Sequence, residues 1–257
     1  MPDIRVAVAM PMHERKVDFE ALSALQREYA TDDRIFSQPW LYTSVVQQGS
    51  PILSRTFNDL LCEALNHPAK CTHFVMLHSD VIPERGWVSK LLAILHEKEA
   101  DVITVVTPIK DHRGKTGVAI GYPDCAGPMK TLSMREIHKL PETFNAADVG
   151  YPDLPLLTGT CCWIADLRHP FWTDVDEHGI AKFSFEVFSR RRRSSDGTWK
   201  GEYGGEDYLM GYAFHAAGIR RYVTRAVKAD HIGDHKFTNR VPWGTLGSDR
   251  PDLPQIA

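Results

Sequence analysis

The chain lacks any apolar run approaching the roughly 18 residues a membrane helix needs, so no spanning helix is expected in its 257 residues. It has no CxxC pair: the five cysteines stand at 62, 71, 125, 161 and 162. An odd count argues against a closed disulfide framework and for reduced, mostly buried thiols. No GxGxxG follows the first apolar segment, which argues against a dinucleotide-binding Rossmann enzyme. No charge sign dominates, and a net charge of −3 gives no global attraction to nucleic acid. Internal repeats and low-complexity tracts are missing. The start, MPDIRVAVAM, has no small-residue cleavage pattern, so a cytoplasmic location is expected.

What is present fits one large α/β domain, since 43% hydrophobic and 25% charged residues are ordinary globular values and the length allows a substantial core. Ile4, Val6, Val8 and Met10 alternate with smaller or charged residues, and Pro11 is expected to stop this first strand and open a loop to Lys16. A helix over 17–29 and a second strand over Leu41–Val46 follow. Phe57, Leu60, Leu61, Ala64 and Leu65 have the spacing of one helix face, with Ser50 and Pro51 as the expected cap and first turn. Arg55 and Asn58 share a side of that helix and could meet a ligand together.

The run Phe74–Leu77 suits a strand buried on both faces, and it ends in His78-Ser79-Asp80. Ligands of open α/β sheets bind at the carboxyl ends of strands, so Asp80 is placed for phosphate and metal chemistry. A helix from Glu84 and a strand over Asp101–Thr107 complete a βαβ unit, and the sheet is expected to be mostly parallel. Residues 110–155 are rich in glycine and proline and read as loops, with a hairpin near Gly117–Tyr122. Thr158-Gly159-Thr160 is a place where backbone can approach a ligand. Arg190, Arg191, Arg192 and Arg193 lie in an expected flexible loop. Glu206 and Asp207 open a helix that Gly218 ends, where the helix dipole alone already favours acids. Arg221–Val227 is the last strand, leading to His231, and residues 233–257 read as a tail or lid.

Asp80, Asp207 and His231 each sit at the boundary of an expected element and can meet at one sheet edge. Two carboxylates with one imidazole suit a hard or borderline divalent ion, Mn²⁺ better than a structural zinc.

The ordered set of motifs resembles family-2-like glycosyltransferases of the GT-A type: Ser54-Arg55-x-x-Asn58, His78-Ser79-Asp80, Leu157-Thr158-Gly159, Gly205-Glu206-Asp207-Tyr208 and His231-Ile232-Gly233. The resemblance implies a GT-A-like α/β domain over 1–232, with a Rossmann-like, nucleotide-binding part over about 1–110 and acceptor-side loops over about 111–232. It makes Asp80 the last acid of a DxD motif and His231 its co-ligand for Mn²⁺ or Mg²⁺. Asp207 becomes the base, with Glu206 orienting the acceptor, while Pro11, Arg55, Asn58, His78, Ser79 and Gly159 border the donor. The implied reaction moves a sugar from a nucleotide-sugar, UDP-sugar favoured, to an acceptor hydroxyl with inversion. His78 departs from the pattern, standing where the first acid belongs.

The acceptor stays open among saccharide, small molecule, protein and modified DNA, the last because some phage transferases of this type act there. In that case the location is the host cytoplasm, and Arg190–Arg193 would meet the polyanion. The alternatives are a degenerate nucleotide- or saccharide-binding relative and a nucleotidyltransferase, the latter disfavoured by the glycine-free Met10-Pro11-Met12-His13-Glu14.

Overall fold

The structure is a computed structural model that describes residues 4–12, 17–30, 41–48, 52–123, 127–193 and 195–244. The first half of the chain runs β1 (Arg5–Met12), α1 (Phe19–Ala30), β2 (Leu41–Gln48), α2 (Leu53–Asn66), β3 (His73–Leu77), β4 (Val81–Pro83), α3 (Trp87–Glu97) and β5 (Val102–Val105). The middle adds β6 (Lys115–Gly121), β7 (Pro128–Ser133), the short α4 (Met134–Ile137), β8 (Thr143–Phe144), β9 (Leu156–Leu157) and β10 (Cys162–Asp166). Then come β11 (Phe188–Arg193), β12 (Trp199–Gly204), α5 (Glu206–Ala216), β13 (Arg221–Thr224), β14 (Ala229–Ile232) and β15 (Lys236–Thr238).

Seven strands form the central sheet in the order β2-β1-β3-β10-β5-β13-β8. β3 carries Val75 and Leu77 into one apolar layer, with α1 and α3, and Phe74 and Met76 into the other, with α2 and α5. Both faces are therefore covered, as the continuous apolar run Phe74–Leu77 requires. The expectation of a mostly parallel sheet needs correction. β1 is parallel to β2 and β3, and β13 to β5, but β10 runs antiparallel between β3 and β5, and β8 is antiparallel to β13. The molecule is a mixed α/β fold with a partly parallel sheet.

Local departures have local causes. β1 continues through Pro11 to Met12 against β2. The β3 ladder reaches only Ala9, so on that side of Pro11 no strand needs its missing N–H. Pro11 is thus buried within a strand and not in a loop. The cap of α2 is Ile52, with no side-chain hydrogen bond, and the expected cap at Ser50 and Pro51 lies outside the described residues. Asp18 caps α1, its Oδ1 accepting from Glu20 N at 2.8 Å.

Residues 110–155 are more ordered than their glycine and proline content suggests. β6 pairs with β7 and β9 in a small sheet over its own apolar cluster. The arginine run is strand β11 of a hairpin with β12, not a flexible loop. Part of the expected tail is packed as well: β15 pairs with β14, and Trp243 is buried. Gly114 and Gly244 both have positive φ and cross so closely that a Cβ on Gly114 would stand 2.4 Å from Gly244 Cα. Only glycine fits there. Residues 245–257 lie outside the described part. Of the cysteines, Cys162 is buried, Cys71 and Cys161 are half-buried and Cys62 is exposed, all free; Cys125 lies outside the described residues. Among the described residues no helix is long and apolar enough to cross a membrane.

Candidate functional site

Asp80 follows β3 and immediately precedes β4, which pairs antiparallel with β14 so that His231 stands opposite Val81. Ile232 N donates to Asp80 O at 2.8 Å, and this register sets His231 Nε2 3.5 Å from Asp80 Oδ1. The start of β14 is fixed by buried Asn239, whose Oδ1 accepts from Ala229 N at 2.9 Å while Nδ2 donates to Val106 O and Val227 O. Asn239 is a positioning residue that sequence reasoning missed, because it lies where a tail was expected.

His231 Nδ1 is 2.8 Å from Pro108 O. A carbonyl only accepts, so Nδ1 carries a hydrogen there and Nε2 is the ring nitrogen turned toward Asp80. Asp80 Oδ1 is buried and has no hydrogen-bond partner among the described residues. Two atoms of metal-ligating type thus stand side by side. Asp80 Oδ2 is taken by the Lys110 ammonium. Burial pushes the Asp80 carboxyl up, but the adjoining His231 and Lys110 outweigh it and hold the group well below the usual carboxylate range. Lys110 had no signal beyond its place just after β5.

His78 packs its ring on Phe57 of α2, with centroids 5.4 Å apart, and its Nε2 is buried without a partner. Burial lowers its pKa to about 4; Asp80 acts in the opposite sense, and His231 and Lys110 add to the lowering. It is therefore a neutral imidazole beside the ionised Asp80, and a carboxylate in its place would be a second negative charge. Ser79 contributes its carbonyl, which accepts from Asp18 N at 2.9 Å and ties α1 to this edge.

Asp207 lies in the first turn of α5. Its Oδ1 accepts from Thr160 N at 2.9 Å and from Thr160 Oγ1. Oδ2 has no partner among the described residues. Burial pushes its pKa up, and the two Thr160 bonds oppose this. Glu206 is also pushed up, by burial and then by the Asp207 charge. Asp207 lines a cavity of about 650 Å³, together with Tyr208, Tyr212, Phe188, Arg190 and Tyr203. Neither Asp80 nor Glu206 lines it.

The segment after β9 connects the two acids. Thr160 holds Asp207, and the next carbonyl, Cys161 O, accepts from His78 N at 2.8 Å. Gly159 serves this path through close backbone approach: a Cβ on Gly117 would stand 2.9 Å from Gly159 N. Its near neighbour is therefore β6. Thr160 could be suspected only from its place beside Gly159.

The other residues expected at the donor have protein partners of their own. Asn58 uses both ends of its amide on the Phe185 backbone, donating to Phe185 O and accepting from Phe185 N, each at 2.9 Å. Arg55 is exposed and 3.8 Å from Asp59, one turn on. Pro11 is buried in β1 and offers backbone only. Arg190 and Arg192 pair with Glu202 across the hairpin.

A second group of metal-ligating types lies near this edge. His112, Asp234 and His235 bring one ligand atom each within 4.8 Å of the others, largely exposed. Compared with known protein families and with curated proteins, the chain gives no significant match to either.

Proposed function

We propose that the protein is a metal-dependent glycosyltransferase that uses a nucleotide-sugar donor, with UDP-sugars favoured. The observation that carries this reading is the facing pair Asp80 Oδ1 and His231 Nε2, at the end of a sheet strand and linked through Thr160 and Cys161 to a second acid beside a cavity. The donor set fits Mn²⁺ or Mg²⁺, and the imidazole favours Mn²⁺. Asp80 Oδ1 and His231 Nε2 would hold the ion, which when bound neutralises the charge growing on the diphosphate leaving group.

The chain's own residues supply the rest. Asp207 takes the proton of the acceptor hydroxyl on Oδ2, while Thr160 fixes Oδ1 and so the direction of the free oxygen. Glu206, beside Asp207 in the first turn of α5, orients the acceptor side. The deprotonated hydroxyl displaces the diphosphate directly, with inversion as the expected outcome. The Tyr203, Tyr208, Tyr212 and Phe188 rings support an acceptor that carries a ring, in a saccharide, a small molecule, a protein side chain or a modified base. The mixed sheet, with its covered faces, supports a GT-A-like arrangement.

Lys110 favours a second reading. Its ammonium already neutralises Asp80 and could face donor phosphates without an ion, in a metal-independent transferase or a non-catalytic nucleotide binder. Thermal unfolding with UDP- and GDP-sugars, with and without Mn²⁺, separates the two. The first reading predicts a rise in melting temperature that requires both donor and Mn²⁺. A donor-dependent rise indifferent to Mn²⁺ favours the second, and no rise with any donor contradicts both.

A further inference from the structure

At the other end of the sheet an arginine is buried with no counter-ion among the described residues. Arg221 opens β13 and is 8% exposed. Its Nε and Nη1 are both buried with no hydrogen-bond partner among the described residues. The nearby acids Asp101 and Glu99 pair instead with the exposed neighbour Arg220. The guanidinium lies 5.4 Å from the centre of the Phe214 ring. That contact attracts the charge but satisfies none of its N–H groups. Burial lowers the Arg221 pKa to about 9. A guanidinium is seldom left in this state, because a buried charge without hydrogen bonds has lost its hydration and gained nothing for it.

Arg221 lines a cavity of about 200 Å³ with Asn145, Leu156, Phe214, His215 and Ile219, and no carboxylate lines it. The volume suits a group of a few heavy atoms. Its lining offers nitrogen donors from Arg221, Asn145 and His215 against apolar walls.

We propose that this cavity is a binding site for a small oxyanion, a carboxylate or a phosphate group, held by the Arg221 guanidinium. A planar fork of donors matches two oxygens of one such group. The site is remote from the Asp80 edge. β13 and β3 run in the same direction, each being linked to β5 or β10 in the sheet; Arg221 begins its strand, whereas Asp80 follows the end of its own. The inference does not depend on the transferase reading. The two sites nonetheless share α5, whose first turn carries Asp207 and whose last turn carries Phe214 and His215.

The test uses the whole protein in EDTA, without nucleotide, so that the Asp80 edge offers no metal. Inorganic phosphate and acetate are each titrated against sodium chloride at equal ionic strength. Melting temperature and the ¹⁵N-arginine Nε resonances are followed. The expected result is a rise above chloride with at least one of the two anions, with one buried Nε resonance shifting in step. A response to phosphate alone identifies a phosphate site, and to acetate alone a carboxylate site. Arg221→Met, of similar length and apolar, should weaken the response at least tenfold. Ala147→Trp, which covers the cavity mouth and leaves Arg221 intact, should do the same and serves if Arg221→Met does not fold. No anion-specific rise in the wild type overturns the proposal. A response retained in both variants, or in Ala147→Trp alone where Arg221→Met does not fold, overturns it as well and means an adventitious ion only.

Discussion

His231 Nε2 and Asp80 Oδ1 face each other at 3.5 Å, and the bond from Nδ1 to Pro108 O fixes the ring in that orientation. The pairing of β4 with β14 sets this distance, and Asn239 sets the start of β14. The pair is thus a product of strand register: a one-residue slip would turn His231 to the other face. Lys110 sits on Oδ2, so a metal held at Oδ1 would compete with the ammonium for the charge of Asp80.

That competition is measurable. Lys110→Met removes a positive charge from the second oxygen of Asp80, and Mn²⁺ affinity should rise several-fold by calorimetric titration. A fall in affinity would place Lys110 among the groups that assist the ion.

Asp207→Asn keeps the shape of the side chain and removes the base. Donor binding should stay within about twofold, while turnover falls by about 10²–10⁴, the usual range for a lost general base. The pH profile carries a second signature. Burial raises the Asp207 pKa, so activity should fall as pH drops through a value above the ordinary 3.8. Thr160→Val removes one bond to the carboxylate and leaves it easier to protonate, so the acidic limb should move to higher pH. An unmoved limb would dissociate Thr160 from the base.

His78 should remain neutral across the physiological range. With a pKa of about 4 against an ordinary 6.5, its ring resonances should show no titration between pH 5 and 8. The unfolded chain takes up this proton at higher pH than the folded one, so the linkage has a definite sign. The stability contribution is complete above pH 6.5, falls as pH drops toward about 4, and is level below. His78→Phe should flatten that part of the stability curve; an unchanged curve would show that His78 is not its source.

Asn58 and Arg55 should separate by kind of effect. Asn58→Ala leaves the Phe185 backbone N–H and C=O without partners and should cost about 2 kcal/mol in denaturant unfolding. Arg55→Ala removes an exposed side chain in a weak ion pair and should cost less than about 0.5 kcal/mol. If Arg55→Ala weakens donor binding while stability is unchanged, its role lies at the donor after all.

Much of this architecture is legible in the sequence, and the remainder is not, for physical reasons. Phe74–Leu77 announces a strand covered on two faces, and the Phe57–Leu65 spacing announces α2, because burial imposes its period on those residues. The direction of β10 leaves no such trace: an apolar run reads alike parallel or antiparallel. β11 escaped because both faces of its hairpin carry exposed arginines, so no alternation marks it. Pro11 misled because a strand tolerates proline where its neighbour has ended. At the site, Asp80, Asp207 and His231 could be picked out as acids and an imidazole at element boundaries. Lys110, Thr160 and Asn239 could not, since what they do follows from where distant segments come to lie.

The central claim is that Asp80 and His231 jointly hold a divalent ion for the donor. Its most direct test is an EPR titration of Mn²⁺ in the presence of UDP, comparing wild type with His231→Ala. The account predicts saturable one-site binding in the wild type, weakened by more than ~10-fold in the variant, since even losses around a ligand cost that much. Equal Mn²⁺ binding by both proteins would contradict it.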